Sequence, residues 1–390
     1  MSTDLRTGRF AAHGLTNIPP DTVREVLGHR ASDTVQGSVL NWLHRETYVA
    51  QGQAVAMNLC DAMTGTLDPP GLLYDGSPPA ALDVSAAAYD PVGDLHLLAV
   101  HDGTNYSVRL SDDGLLSTSE ALAAAAGIRI EGLAIVPGEW VFASRNNSNW
   151  VSSAYPYTSW TTVTASPTFT SQFPAEGSCV ATLDGVECLL MVGDQAGTAY
   201  LSYTPTATRP TVAGDWTELT PATMTEAYGV ATDGAVTVIA GALGANPTIA
   251  YAGVADGGLS GDWNTVTVGT GGQVWDVVHD GEKFVCVDDN GDAHYSYDGA
   301  TWVQTGIAGS AGNRYNLVAD PSTGFLACYD GLGAGAGRLV VSRDGVAWYE
   351  AAAANGMLVT GLSGRWGWDT RRGRLFAGDN ATVDSLRTTG

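Results

Sequence analysis

Residues 275–302 read Trp275-Asp-Val-Val-His279-Asp280-Gly281-Glu-Lys-Phe284-Val-Cys-Val-Asp288-Asp-Asn290-Gly-Asp-Ala-His-Tyr-Ser296-Tyr-Asp298-Gly299-Ala-Thr-Trp302. The stretch holds three short apolar runs separated by Asp-Gly, Asn-Gly and Asp-Gly turns. It therefore reads as an antiparallel meander of short strands that ends on a tryptophan. Its opening event, a small-residue strand followed by an Asp- or Pro-Gly turn and a second apolar strand, recurs along the chain. The turns are at Asp90 to Gly93, Pro137-Gly138, Asp184-Gly185, Asp233-Gly234, Asp280-Gly281, Asp320 to Gly324 and Asp369 to Gly373. Their first residues are 47, 47, 49, 47, 40 and 49 apart. A strand-bearing period in the forties predicts a radial array of four-stranded sheets, an all-β, seven-bladed β-propeller.

Each repeat parses alike. First strands are expected at 86–90, 132–136, 179–183, 228–232, 275–279, 315–319 and 365–369. Second strands such as CLLMV and FVCVD are apolar throughout, as strands buried on both faces must be. A fourth strand is expected to open on Trp160, Trp216, Trp263, Trp302 and Trp348. The seventh repeat lacks a fourth strand before the chain reaches Gly390. A strand supplied from within residues 46–85, at Tyr48-Val-Ala or Gly71-Leu-Leu-Tyr74, would cover the open edge. The organisation expected is an arm with short helices at 1–45, a connection at 46–85 and the propeller at 86–390.

The chain has 390 residues, 49 Gly and a formal net charge of −23, with Lys283 its single lysine. Such an acidic surface disfavours nucleic acid and anionic membrane as partners. Residues 1–45 carry five Arg against four acidic residues, so the arm is near neutral and the remainder carries −24. No run of 18 apolar residues and no N-terminal apolar signal core occur, so no membrane span or secretion is expected. Of the five cysteines, Cys188, Cys286 and Cys328 fall at matching places in second strands. They read as small core residues, not as disulfides or metal ligands.

Ser296-Tyr-Asp298-Gly299-Ala-Thr-Trp302 and Ser342-Arg-Asp344-Gly345-Val-Ala-Trp348, with Ser111-Asp-Asp113-Gly114 as a partial third copy, resemble the Asp-box hairpin of sialidase-like propellers, one residue shorter. The physics is local: the Asp carboxylate accepts turn amides, Gly takes positive φ, and Trp wedges between sheets. The likeness implies fold and carries no activity. Sialidases use three arginines, a tyrosine with a glutamate, and an acidic residue at the channel mouth. Arg129, Arg314 and Arg365, with Tyr315 and Glu131, are the residues here that an enzymatic reading would use. Tyr228, Glu226 and Trp275 lie near the same level.

The run Asp288-Asp-Asn290-Gly-Asp292 begins like a calcium loop. Ala293 and Gly299 stand where such a loop needs Gly and Glu, so it reads as a hairpin turn. No zinc-type histidine pair, phosphate loop or nucleophile elbow is seen, and neither metal nor cofactor is expected.

A propeller without catalytic machinery but with an N-terminal arm resembles the tail nozzle and hub propellers of tailed bacteriophages. That resemblance implies a non-enzymatic virion protein, made in the host cytoplasm, that forms a homo-oligomeric ring, a hexamer being one form. It implies contacts to other tail proteins through the arm. Three alternatives stand beside it. One is a receptor- or glycan-binding tail protein that uses Tyr155, Tyr157 and Trp275 against host-surface sugars. The others are a sialidase-like glycosidase and an assembly factor like the Asp-box propellers of photosystem assembly.

Overall fold

The computed structural model describes residues 72–74, 83–101, 106–111, 118–123, 130–145, 149–163, 178–183, 185–221, 223–253, 263–306, 315–320, 324–330, 338–350, 367–369, 374–378 and 383–388. The chain divides into two compact units, residues 1–72 with 388–390, and residues 73–387. The arm at 1–45 and its expected helices lie outside the described residues.

The second unit is an all-β propeller of four-stranded antiparallel sheets. Strands β2 (Asp83–Asp90), β3 (Leu95–His101), β4 (Tyr106–Ser111) and β5 (Thr118–Ala123) form the first sheet. The second has β6 (Ile130–Val136), β7 (Trp140–Arg145), β8 (Asn149–Ala154) and β9 (Trp160–Val163). The third has β10 (Ser178–Leu183), β11 (Val186–Gln195), β12 (Thr198–Pro205) and β13 (Thr217–Leu219). The fourth has β14 (Glu226–Thr232), β15 (Val236–Leu243), β16 (Asn246–Gly253) and β17 (Asn264–Thr267). The fifth has β18 (Val274–His279), β19 (Phe284–Asp288), β20 (Asp292–Ser296) and β21 (Val303–Gly306). The sixth has β22 (Tyr315–Asp320), β23 (Phe325–Asp330), β24 (Arg338–Ser342) and β25 (Tyr349–Glu350). The last has β26 (Gly367–Asp369), β27 (Arg374–Gly378) and β28 (Val383–Thr388), and β1 (Leu72–Tyr74) is the neighbour of β28.

First strands of successive sheets pack side by side, β2 on β6, β6 on β10, and so on to β26, which packs back on β2. They are the inner strands of the cycle, and burial follows from that placement. Phe284 to Asp288, all of β19, are buried, and so are Cys188 to Val192 in β11. Core clusters bridge neighbouring sheets: Val230 and Ile239 pack with Leu190 and Leu201, and Val277 and Phe284 pack with Val238 and Ile249. Cys188, Cys286 and Cys328 are buried free thiols in second strands. Burial raises the pKa of Cys188 and Cys286, which keeps both protonated and unreactive.

The fourth strands begin one residue later than expected in four of the five tryptophan repeats, at 217, 264, 303 and 349. Trp302 Nε1 donates to Gly299 O at 2.9 Å and Trp348 Nε1 to Gly345 O at 3.2 Å, three residues back, as Trp160 Nε1 does to Tyr157 O at 3.0 Å. The two Ser-x-Asp-Gly turns share most of their bonding. Asp298 Oδ1 accepts from the amides of Ala300 and Thr301, and Asp344 Oδ1 from those of Val346 and Ala347, at 2.7–2.9 Å. Ser296 and Ser342 hydroxyls donate to the same carboxylates, and Gly299 and Gly345 sit at φ of 72° and 66°. The run at 288–292 is a hairpin turn: Asp288 Oδ1 accepts from Asn290 N and Asp292 N, and Gly291 has positive φ.

Asp90 ties the first sheet to the second. Its Oδ1 accepts from Val92 N in its own turn and from Gly138 N in the next sheet's turn. Its Oδ2 accepts from Tyr157 Oη at 2.7 Å. Tyr157 is fully buried, so it is a core residue and not the exposed stacking aromatic expected from the sequence. A loop position was expected to be exposed. This one is covered because its hydroxyl reaches a buried carboxylate 67 residues away.

Candidate functional site

Four of the inner strands share one irregularity, which β10 and β22 lack. Where β14 meets β15 the register skips Tyr228, and where β18 meets β19 it skips Trp275. Where β6 meets β7 it skips Glu131, and where β2 meets β3 it skips Ser85. Each is a bulge two or three residues into the inner strand. The extra residue has no partner across the ladder, and a bulge of this kind re-aims its side chain. After the Tyr228 bulge, Gly229 lets the inner strands approach. A Cβ on Gly229 would lie 2.8 Å from Val277 N in the next inner strand.

Two of these bulged residues meet. The rings of Tyr228 and Trp275 lie 4.6 Å apart, tilted by 42°. Tyr228 Oη is 2.8 Å from Glu226 Oε2, to which it donates, and 2.8 Å from the side-chain amide of Gln273. Trp275 Nε1 donates to Asp289 Oδ1 in a short bond. Asp289 N in turn donates to Gln273 O at 2.9 Å. The result is a ring pair held edgewise by two carboxylates from two neighbouring sheets. Desolvation raises the pKa of the half-buried Asp289 above the ordinary carboxylate range, and the nearby Asp288 and Glu226 charges add to it. The Trp275 and Gln273 hydrogen bonds only partly oppose that rise. Among the described residues neither Glu226 nor Asp289 has an ion-pair partner.

The space beside Asp289 depends on Gly272, at φ of 84°: a Cβ there would stand 2.5 Å from Asp289 Cβ and Oδ2. Gly272 is therefore packed directly against Asp289, and any other residue would collide with that side chain. Beneath the cluster, His294 Nε2 and Asp288 Oδ2 are 3.1 Å apart and both buried, which anchors the turn that carries Asp289.

The channel between the inner strands contains a cavity of about 270 Å³. It is lined by β10, β14, β18 and β22, mostly with Val, Ala and Leu, and by Cys179, Thr232 and His279. Burial lowers the pKa of His279, which keeps the ring neutral near pH 7. Among the described residues that line it, the polar side chains are Ser178, Cys179, Thr232 and His279.

Of the residues singled out from the sequence, Tyr228, Glu226 and Trp275 belong to the cluster. Glu131 occupies the matching bulge of the second sheet, and Tyr315 opens β22. Arg129, Arg314 and Arg365 lie outside the described residues. Tyr155 is half exposed and packs edge-on against Tyr157 at 5.4 Å, far along the chain from the cluster. Sequence reasoning passed over Gln273 and Asp289. Asp289 was hidden inside the Asp288-to-Asp292 turn, where Asp288 Oδ1 serves the backbone and Asp292 accepts from Gln304. Its one distinguishing signal is that it sits one period from Leu243 and Gly244, where the fourth sheet has no acidic residue.

No family model matches this chain, and no curated protein matches it by sequence. Solved structures match it by fold. YCF48 bound to D1 peptide superimposes with a TM-score of 0.56 at 11% identity, covering 83% of this chain and 96% of that one. YCF48 from Cyanidioschyzon merolae gives 0.53 at 11% identity, over 79% and 96%. Raptor from Chaetomium thermophilum gives 0.53 at 12% identity, over 89% of this chain and 32% of that one. At these identities the likeness establishes the propeller fold alone.

Proposed function

We propose that this chain is a non-catalytic structural propeller, the subunit of a bacteriophage tail ring of the nozzle or hub kind, whose inner-strand rim receives a partner protein. The supporting observation is the state of the rim cluster. Tyr228 and Trp275 are locked to Glu226 and Asp289, so the aromatic faces form a rigid platform and the polar groups are spent on holding it. A preformed aromatic surface bordered by carboxylates suits binding, where rigidity lowers the entropic cost. The arm at 1–45, near neutral beside an acidic remainder, would then carry contacts to neighbouring subunits. The Asp-box turns serve to brace the sheets. YCF48, captured with a D1 peptide, is an instance of this fold used as a polypeptide platform. Light scattering on the full chain after size exclusion tests the ring. A mass several times the 40.4 kDa of one chain is expected, and a strict monomer at all concentrations refutes it.

The sialidase-like reading has one observation in its favour, the 2.8 Å bond from Tyr228 Oη to Glu226, the pairing a tyrosine nucleophile uses. Against it, Trp275 covers one face of the Tyr228 ring, and no cation among the described residues faces the pair to hold a sugar carboxylate. Release of fluorophore from a 4-methylumbelliferyl sialoside, lost in Tyr228→Phe, would establish that activity and displace the structural reading.

A further inference from the structure

We propose that the end of the propeller at which Val92 and Tyr155 are exposed is the docking surface for the arm, residues 1–45, of a second copy of this chain. The inference rests on the reading that the arm joins neighbouring subunits, and adds where it lands.

The surface follows from the topology. In an antiparallel sheet whose four strands lie in chain order, the turn after the first strand and the turn after the third fall at the same end. Neighbouring sheets keep that alignment. A Cβ on Gly138, in the first turn of the second sheet, would stand 2.8 Å from Val92 Cγ1, in the first turn of the first sheet. A Cβ on Gly345, in the third turn of the sixth sheet, would stand 3.3 Å from Lys283 Cε, beside the first turn of the fifth. Of the eight exposed large apolar side chains among the described residues, seven belong to this end of the propeller and Leu243 alone to the other. The packing of the sheets does not require that bias, and exposed apolar groups gathered on one surface mark an interaction site.

The surface is most apolar where the first two sheets meet. Val92 is 70% exposed and Tyr155 47%. Pro91, Pro137, Ala154 and Pro156, their neighbours in the same turns, are exposed as well. These groups are fixed in place. Asp90 accepts from Val92 N and Gly138 N, and Tyr155 N donates to Glu139 O at 2.7 Å. The Tyr155 ring stands edge-on to the buried Tyr157 and packs against Gly93. A surface already held in one shape loses little freedom on binding. Charge selects the occupant. Among the described residues, the exposed carboxylates at this end are Glu139, Glu187, Asp233, Glu282, Asp298 and Asp344, against one exposed cation, Arg343. Two propellers facing each other through this end would repel. The arm instead brings five Arg against four acidic residues, together with Phe10, Ile18, Val26, Leu27, Leu40 and Trp42. Extended, 45 residues span on the order of 150 Å, enough to reach a neighbouring propeller.

The test uses the full chain carrying the photoreactive Tyr155→p-benzoylphenylalanine. Protein labelled with ¹⁴N and with ¹⁵N is mixed in equal amounts at high dilution and then concentrated. After irradiation and proteolysis, mass spectrometry should find residue 155 joined to peptides from residues 1–45, in mixed-isotope pairs that only two different chains can give. Leu243→p-benzoylphenylalanine, at the other end of the propeller, should capture about tenfold less of the arm. Joining only within one chain, joining to residues 73–387 of the second copy, no joining, or equal capture from position 243 overturns the proposal. Val92→Asp changes a side chain that the fold leaves in solvent, so the circular dichroism should match that of the wild type. In sedimentation the concentration at half-association should rise about tenfold, and unchanged association overturns the proposal. Ring formation by light scattering is scored separately. A ring in which residue 155 misses the arm rejects this inference alone, and a dimer joined from residue 155 to the partner's arm rejects the ring alone.

Discussion

The Asp90–Tyr157 bond offers the sharpest test of how neighbouring sheets are locked. Asp90 is fully buried and receives three donors, Val92 N, Gly138 N and Tyr157 Oη, two of which come from the second sheet. Tyr157 is also fully buried, and its phenol is pushed well above its ordinary pKa by burial and then by Asp90, so it donates throughout the working pH range. Tyr157→Phe removes one hydrogen bond to a charged acceptor, worth about 2 kcal/mol. Asp90→Ala strands the Tyr157 hydroxyl and frees two amides that lie near water and rehydrate cheaply, for a cost of about 4 kcal/mol. Once the carboxylate is gone the hydroxyl is only a burden. The double variant should therefore cost about what Asp90→Ala costs, leaving a coupling of about 2 kcal/mol. Urea unfolding followed by far-ultraviolet circular dichroism, with unchanged m values, measures the cycle. A coupling below about 0.5 kcal/mol would refute the view that this bond joins the sheets.

Other perturbations follow from the same contacts. Lys283 and Asp280 form a buried pair at 2.8 Å, so Asp280→Ala, which leaves the ammonium only the exposed Glu282 carboxylate at 4.0 Å, should cost about 3–5 kcal/mol in urea unfolding. Lys283→Met should cost clearly less, because Asp280 Oδ1 still accepts two turn amides. Gly345→Ala and Gly185→Ala both strain a positive φ, but only Gly345 meets a neighbour, Val285 Cγ2 at 2.9 Å. Thermal unfolding should show Gly345→Ala the more damaging by about 1 kcal/mol, and equal losses would exclude the packing role of that turn. His279 has a folded pKa depressed by burial, so the unfolded chain binds the proton first and stability should fall as pH drops below about 6.5. His279→Gln should flatten that part of the profile; an unchanged slope would assign it to other groups.

The repeat was legible because its signals are local. An Asp-Gly turn needs a carboxylate, a positive φ and two apolar runs, all within a few residues, as Asp280 and Gly281 illustrate. The inner strands were read short, however. The expected strands 228–232 and 275–279 begin at 226 and 274 in the structure, because the bulges interrupt the alternation that marks a strand. Those bulges are also what builds the candidate site, so the pattern failed at that site. Tyr157 was misjudged for the opposite reason. Nothing adjacent to it in sequence announces that Asp90 lies within reach.

The amino-acid sequence by itself determined the all-β class, the period, the order of strands in each sheet and the bonding of the Ser-x-Asp-Gly turns, since each depends on neighbours a few residues apart. Only the tertiary structure decided that Leu72–Tyr74 sits beside β28, that Tyr157 is interior, and that Tyr228 and Trp275 share one platform with Glu226 and Asp289. Those pairings join residues tens to hundreds of positions apart. They are set by how the sheets close on one another, which no local spacing encodes.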